Sequence, residues 1–233
     1  MSGGSRQASF VRTAWLVVQK DLTIEIRSRE ILYTTLFFAI SCVLVFAFAL
    51  VREGQAAEGV PAGILWIAIA FAGTLALGRT FERERHNETL RALLLAPVGP
   101  AAVYVGKLLG VLVLLAATEV LLVPLVALFF QAPLLSRPVP MLSLLILGTI
   151  GFATVGTLFA AMLVRARSRD VLLPVLLYPM TIPVIIAGVW GTAALLQSPP
   201  DESVAVMWIG LLVAFDVVFV TLALWAFEPL MTE

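Results

Sequence analysis

Cysteine, histidine and lysine are nearly absent from this chain of 233 residues: Cys42 and His86 are each the only one of their type, and Lys20 and Lys107 are the only lysines. One cysteine allows no intramolecular disulfide, and its place inside a long apolar run reads as a small core residue. One histidine excludes an H-E-x-x-H metal site, and metal-ligand clusters are missing from the sequence. The scarcity of lysine lets a nucleotide-cradling P-loop, G-x-x-x-x-G-K-[ST], be tested by inspection. Gly106 precedes Lys107, but Ala101 stands where the first glycine belongs and Leu108 where the hydroxyl belongs, so no such site can be assembled. Charge is scarce as well. Only 13% of residues are charged and the two signs cancel to a net charge of zero, which gives no reason to expect a nucleic-acid partner.

What fills the chain instead is apolar: 61% of residues are hydrophobic and the mean hydropathy is +1.05, outside the range of ordinary soluble domains. A helix needs about 20 apolar residues to cross a bilayer. Runs of that order without Lys, Arg, Asp or Glu extend over Ile31 to Val51, Val60 to Gly78, Met141 to Val164 and Val171 to Gln197. Two more carry isolated charges: Ala101 to Phe130, with Lys107 and Glu119, and Val204 to Phe227, with Asp216. These runs predict an all-α polytopic membrane protein with six transmembrane helices, a single transmembrane domain over residues 1–233 with little chain left for a soluble one. Met1 to Glu30 has no continuous apolar stretch with a small-residue cleavage site and does not read as a cleavable signal.

Basic residues are retained on the cytoplasmic side. Arg6, Arg12, Lys20, Arg27 and Arg29 precede the first span, Arg79, Arg83, Arg85, Arg91 and Lys107 follow the second, and Arg165, Arg167 and Arg169 follow the fourth. Only Arg52 and Arg137 fall on the other side. The expectation is a multi-pass protein with both termini in the cytoplasm.

Residues 9–30 read as an amphipathic elbow helix. Val11, Trp15, Val18, Leu22 and Ile26 recur in steps of four and three, with Arg12, Gln19, Lys20, Thr23 and Arg27 mostly opposite. Such a helix lies in the membrane interface, apolar side towards the acyl chains, or packs on the cytoplasmic loops.

The loop at 79–100 is the most polar part of the chain: RTFERERHNETLRALLLAPVGP. The charged run from Phe81 to His86 suits a solvated helical extension. Asn87 can cap a new helix with Glu88 in its first turn, where the helix dipole favours an acid. Leu90, Leu93 and Leu94 then share a face, and Pro97 closes the helix. A short leucine-faced helix of this kind suits docking in a groove on another protein, or the leucines cover the ends of neighbouring spans.

The order F-E-R-E-R, then E-T-L-R-A-L-L-L-A-P, then a span opening V-G-K-L-L-G resembles the cytoplasmic signature of exporter-type ABC permeases. More narrowly, it is similar to the cytochrome c-type biogenesis B family (CcmB), the membrane subunit of the haem exporter. P-A-G-I-L-W-I-A at Pro61 to Ala68 and L-P-V-L-L-Y-P-M-T-I-P at Leu173 to Pro183 extend the resemblance over most of the chain. The chain departs from the family pattern where Glu88 stands in place of the usual glycine before Thr89, and where Arg91 follows Leu90.

The resemblance implies a non-catalytic permease subunit in the bacterial inner membrane, working in cytochrome c maturation. It implies a cytoplasmic coupling helix, with Glu82, Arg85, Glu88, Thr89, Leu90, Leu93, Leu94 and Pro97 as the ATPase-coupling residues. The implied partners are a pair of cytoplasmic ABC ATPase subunits that bind the ATP, a second permease copy, haem-handling membrane subunits and a periplasmic haem chaperone, besides membrane lipid. No cofactor is expected on this chain, haem being a candidate substrate of the complex. The output is either haem export or release of the haem-loaded chaperone, and the lack of ligands in this chain leans towards release, since one histidine excludes a bis-histidine haem site. Rival readings are an export permease for a lipid, drug or polysaccharide, a membrane scaffold that does not transport, and an intramembrane enzyme.

Within the spans, Glu119 and Asp216 are carboxyl groups at bilayer depth, where such groups cost a few kcal/mol, about 3 on insertion scales, and often face a pathway or the bundle interior. Hydroxyls such as Thr118 and Thr221 are candidate partners. Pro174, Pro179 and Pro183 predict a kinked or interrupted fifth span that serves as a hinge or a static bend. The third run, about 45 Å long as a helix, is expected to tilt or to turn near Pro124. Gly148, Gly151 and Gly156 give the fourth span a face for close packing.

Overall fold

The computed structural model describes residues 10–51, 57, 59–86, 100–163, 166 and 168–232, with the backbone alone described at 80–86, 100 and 228–232. Among the described residues the regular structure is α-helical: α1 Phe10–Ser28, α2 Glu30–Leu50, α3 Val60–His86, α4 Pro100–Phe130, α5 Pro138–Met162, α6 Arg169–Leu196 and α7 Glu202–Thr232. Six of these, α2 to α7, contain a stretch long and apolar enough to cross a membrane.

Local chemistry sets the boundaries. α1 and α2 are separated by one residue, Arg29, in the left-handed conformation at φ 52°. The Glu25 side chain accepts the Leu32 amide at 2.8 Å across this turn and covers a donor that the start of α2 leaves open. α4 ends where Gln131 adopts φ 50° and the Ala132 amide reaches back to the Ala127 carbonyl at 3.1 Å, a Schellman-type close. Pro138 opens α5, where its missing N–H has no helical role. Asp201 caps α7 by accepting the Ser203 and Val204 amides, both at 3.1 Å, and the Ser203 hydroxyl at 2.6 Å.

α3 and α5 are the most buried of the six long helices, with α2, α4, α6 and α7 around them. Their contacts depend on small residues. Trp66 of α3 is 2% exposed and lies between Gly148 of α5 and Gly188 of α6, and its indole N–H donates to the Thr192 hydroxyl at 3.0 Å. A Cβ on Gly148 would lie 2.6 Å from Trp66 Cζ3, and one on Gly188 would lie 2.6 Å from Trp66 Cζ2. Gly156 of α5 makes room in the same way for Leu77 of α3, and Gly191 of α6 for Leu144 of α5. With lipid as solvent, apolar area gives little drive for helix association, so close fit of this kind carries the packing.

Of the alternatives that the prolines raise, a turn near Pro124 and an interruption of the fifth span are not found. α4 runs through Pro124 without a turn and ends only at Phe130. α6 is one uninterrupted helix that contains Pro174, Pro179 and Pro183. A proline removes one helical hydrogen bond, and packing against neighbouring helices can offset that loss; α6 is packed on α3, α5 and α7.

Candidate functional site

The polar loop is framed by two long helices. α3 continues beyond its membrane-length part as a helix through His86, and α4 starts at Pro100. Glu82 and Arg85 therefore sit on the helical extension of α3. Glu88, Thr89, Leu90, Leu93, Leu94 and Pro97 lie outside the described residues.

The base of α4 is clamped to α1. Lys107, 2% exposed, makes an ion pair with Asp21 of α1 at 2.8 Å, and Lys20 lies 3.2 Å from the same carboxylate. Beside Lys107, Gly106 meets α1 one turn before Asp21, so closely that a Cβ there would lie 2.6 Å from Val17 Cβ and 2.8 Å from the Ala14 carbonyl oxygen. The buried face of α1 is Thr13, Ala14, Val17 and Val18. The predicted apolar face is thus divided: Val18 is buried, whereas Val11, Trp15 and Ile26 are exposed. The reason is steric, since only the small and β-branched residues fit against Gly106, and the bulky side chains remain outside as a lipid-compatible surface. Asp21 is not among the residues singled out from sequence, although its position four after Val17 places it on the same face.

At the same end of the bundle, Arg169 opens α6 and is 3% exposed. Its guanidinium donates to the Gly78 carbonyl of α3 and reaches the Leu77 carbonyl at 3.5 Å. In the sequence Arg169 reads as an orienting loop charge; it also ties α6 to α3.

The two intramembrane acids occupy different surroundings. Glu119 of α4 accepts a hydrogen bond from Thr149 of α5. Thr118 donates instead to the Leu114 carbonyl at 3.0 Å and Thr221 to the Val217 carbonyl at 2.7 Å, so neither serves an acid as expected. Both follow from i to i−4 geometry, which hands a helical threonine its own backbone acceptor. Asp216 of α7 is 7% exposed and neither carboxyl oxygen has a hydrogen-bond partner among the described residues; a Cβ on Gly151 of α5 would come 2.7 Å from its Oδ1. Glu119 and Asp216 thus each meet α5, through Thr149 and Gly151. Pro179 and Pro183 lie within α6.

Among the described residues, six membrane-length helices, an N-terminal helix clamped across the base of the third of them and a polar extension of the second define a multi-pass membrane protein. A model of the CcmB protein family matches residues 12–231, and the chain belongs to that family. It is 31% identical to heme exporter protein B of Pseudomonas aeruginosa over 188 residues, 81% of this chain and 83% of that protein. Heme exporter protein B of Rhodobacter capsulatus is 30% identical over 172 residues, 74% of this chain and 78% of that protein. The Haemophilus influenzae protein of the same name is 25% identical over 170 residues, 73% and 76% of the two chains.

Proposed function

We propose that this chain is the permease subunit of an ABC complex of the inner membrane, with both termini cytoplasmic, that acts in cytochrome c maturation and couples ATP hydrolysis by a separate subunit to haem export or to release of a haem-loaded periplasmic chaperone. The observation that carries this reading is the family match over residues 12–231, with relatives named heme exporter protein B. The chain holds no P-loop, so a separate pair of ATPase subunits supplies the hydrolysis. Their contact is the stretch Glu88 to Pro97, with Leu90, Leu93 and Leu94 as the apolar anchors and Glu82 and Arg85 beside it.

The clamp at the base of α4 supports a route for the coupled motion. Closure of the ATPase pair pushes the 88–97 segment, which continues into α4; α4 spans 31 residues, about 46 Å at helical rise. Because Lys107 and Gly106 hold α1 to α4, the elbow helix moves with it, and the displacement is a rigid-body shift at a helix interface. A second permease copy, haem-handling membrane subunits and a periplasmic haem chaperone complete the complex. A single histidine in the chain favours the reading in which ATP hydrolysis releases the loaded chaperone over one in which this chain ligates haem in transit.

Replacing both Leu90 and Leu93 by Asp should abolish co-purification of the ATPase while leaving the permease folded in detergent. Unchanged co-purification removes the docking role. With the intact complex, stimulation of ATP hydrolysis by the haem-loaded chaperone and not by the empty one supports chaperone release; no response returns an exporter of another substrate to first place.

A further inference from the structure

Between α3 and α6, at the end of the bundle that carries Arg169, lies a cavity of about 390 Å³, a size within the range of small-ligand sites. Leu75, Leu173 and Pro174 give it apolar walls, and Arg79 and Asp170, both exposed, give it one cation and one anion. Arg79 is 3.6 Å from Glu30 of α2, and Asp170 has no ion-pair partner among the described residues. Pro174 stands four residues after Asp170 and has no N–H, so the Asp170 carbonyl cannot receive its helical hydrogen bond. Asp170 therefore offers two acceptors at one place, its carboxylate and its carbonyl.

The surface beyond the cavity is aromatic. Phe38 of α2, Phe71 of α3 and Tyr178 of α6 form two edge-to-face pairs, with ring centroids 5.9 and 6.0 Å apart. Glu30 and Phe38, Phe71 and Arg79, and Asp170 and Tyr178 are each separated by eight residues on their own helix, about 12 Å of helical rise. One level of the three helices is charged and another, two turns deeper, is aromatic. Phe38 and Phe71 are 42% and 41% exposed, so the aromatic level faces outward from the bundle. The Tyr178 and Thr74 hydroxyls, 3.3 Å apart, close the slot between α3 and α6 at that depth.

We propose that this cavity binds the headgroup of a membrane phospholipid that carries a primary ammonium group. The phosphate lies on Arg79, the ammonium lies on the carboxylate and carbonyl of Asp170, and an acyl chain follows Leu75 and Leu173 down to Phe71 and Tyr178. An acidic headgroup without an amine would satisfy Arg79 and meet Asp170 as a like charge. A quaternary ammonium has no N–H to give to the Asp170 carbonyl. A soluble phosphate ester would leave the aromatic level unused, because those rings face the acyl region.

The test is native mass spectrometry of the full chain, delipidated in detergent and offered phosphatidylethanolamine, phosphatidylglycerol or phosphatidylcholine at equal concentration. One phosphatidylethanolamine should be retained about tenfold more strongly than either of the others, the difference expected from one charge-assisted hydrogen bond. Asp170→Asn should remove that preference without weakening phosphatidylglycerol, Asp170→Glu should keep most of it, and Leu75→Trp, which fills the cavity, should lower retention of all three. Equal retention of the three lipids, tighter binding of phosphatidylglycerol, or an unchanged preference in Asp170→Asn would each overturn the assignment.

Discussion

If Trp66 is held by the absence of side chains on either side of it, then adding one methyl group at Gly188 should be costly only while the indole is there. A Cβ at position 188 would lie 2.6 Å from Cζ2 of the ring and closer still to Cε2 and Cδ2, whereas carbon atoms pack best at about 3.5–4.0 Å. The ring must yield by roughly 1 Å to restore contact distance, but Gly148 bounds its other side, where a Cβ would be 2.6 Å from Cζ3. Two effects oppose each other in Gly188→Ala. Overpacking costs about 1–3 kcal/mol, and exchange of glycine for alanine in a helix returns up to about 1 kcal/mol. The clash wins because the ring is bounded by backbone on both sides, and the net loss should be about 1–2 kcal/mol.

A double-mutant cycle with Trp66→Leu isolates the cause. Leucine lacks the six-membered ring, so in that background Gly188→Ala should cost nothing or stabilise slightly through helix propensity, and the two changes should be coupled by about 1–3 kcal/mol. Equilibrium unfolding in mixed micelles, with sodium dodecyl sulfate as denaturant and circular dichroism as signal, measures all four corners. If Gly188→Ala costs the same in the wild-type and Trp66→Leu backgrounds to within about 0.5 kcal/mol, the indole wedge does not hold α3 to α6. Thr192→Val serves as a control for the hydrogen bond alone, expected at about 0.6 kcal/mol, the average for such bonds in membranes.

The elbow clamp gives two further outcomes. Gly106→Ala should loosen α1, because its Cβ would meet the Ala14 carbonyl at 2.8 Å as well as Val17, and backbone cannot rotate away; cleavage by trypsin at Lys20 should accelerate several-fold, about the effect of 1 kcal/mol. Asp21→Asn should destabilise by about 3 kcal/mol in micelle unfolding, since Lys107 is 2% exposed and loss of one member of a buried pair costs more than the pair contributes; the double replacement Asp21→Leu with Lys107→Leu should cost less than Asp21→Asn alone. Arg29→Gly should move the unfolding midpoint to higher denaturant, because Arg29 is held at φ 52°, a conformation that glycine adopts without the Cβ penalty; a lower midpoint would mean that the contact of Arg29 with the Tyr33 hydroxyl at 3.3 Å outweighs the backbone effect. The Asp201 carboxyl is held below its ordinary value by the Ser203 hydroxyl first and by the Val204 amide. Its contribution is present above the unfolded pKa and is lost as pH falls through the lower folded value, so melting temperature should drop below about pH 4 in the wild type and Asp201→Asn should flatten that part of the profile.

What is legible in the sequence follows the physics that acts along the chain. Apolar runs of bilayer length are a property of consecutive residues, so the six long helices can be read from hydropathy to within a few residues at their ends. Partners are a property of residues far apart. For Glu119 the sequence suggests a neighbouring threonine, but Thr118 spends its hydroxyl on the carbonyl one turn back, and the bond comes from Thr149, thirty residues on. Lys107 and Arg169 count towards orientation, since the positive-inside tendency depends only on where a charge falls in the chain. That each is also buried, one on Asp21 and the other on the carbonyls of α3, requires knowing which helix lies alongside. The glycines show the same divide from the other direction. Gly148 and Gly156 announce a packing face by spacing alone, and the face is used, but the residues that fill it, Trp66 and Leu77, belong to α3 and give no local sign of it. In a bilayer the solvent does not sort apolar from apolar, so an isolated large side chain in a span has no sequence signature of burial. Trp66 and Trp225 have similar local settings, yet Trp66 is 2% exposed and Trp225 76% exposed. The difference lies in the facing helices: two glycines and a hydroxyl stand opposite Trp66. A search for buried aromatics in such chains is therefore better made from the glycines of other spans than from the aromatics themselves.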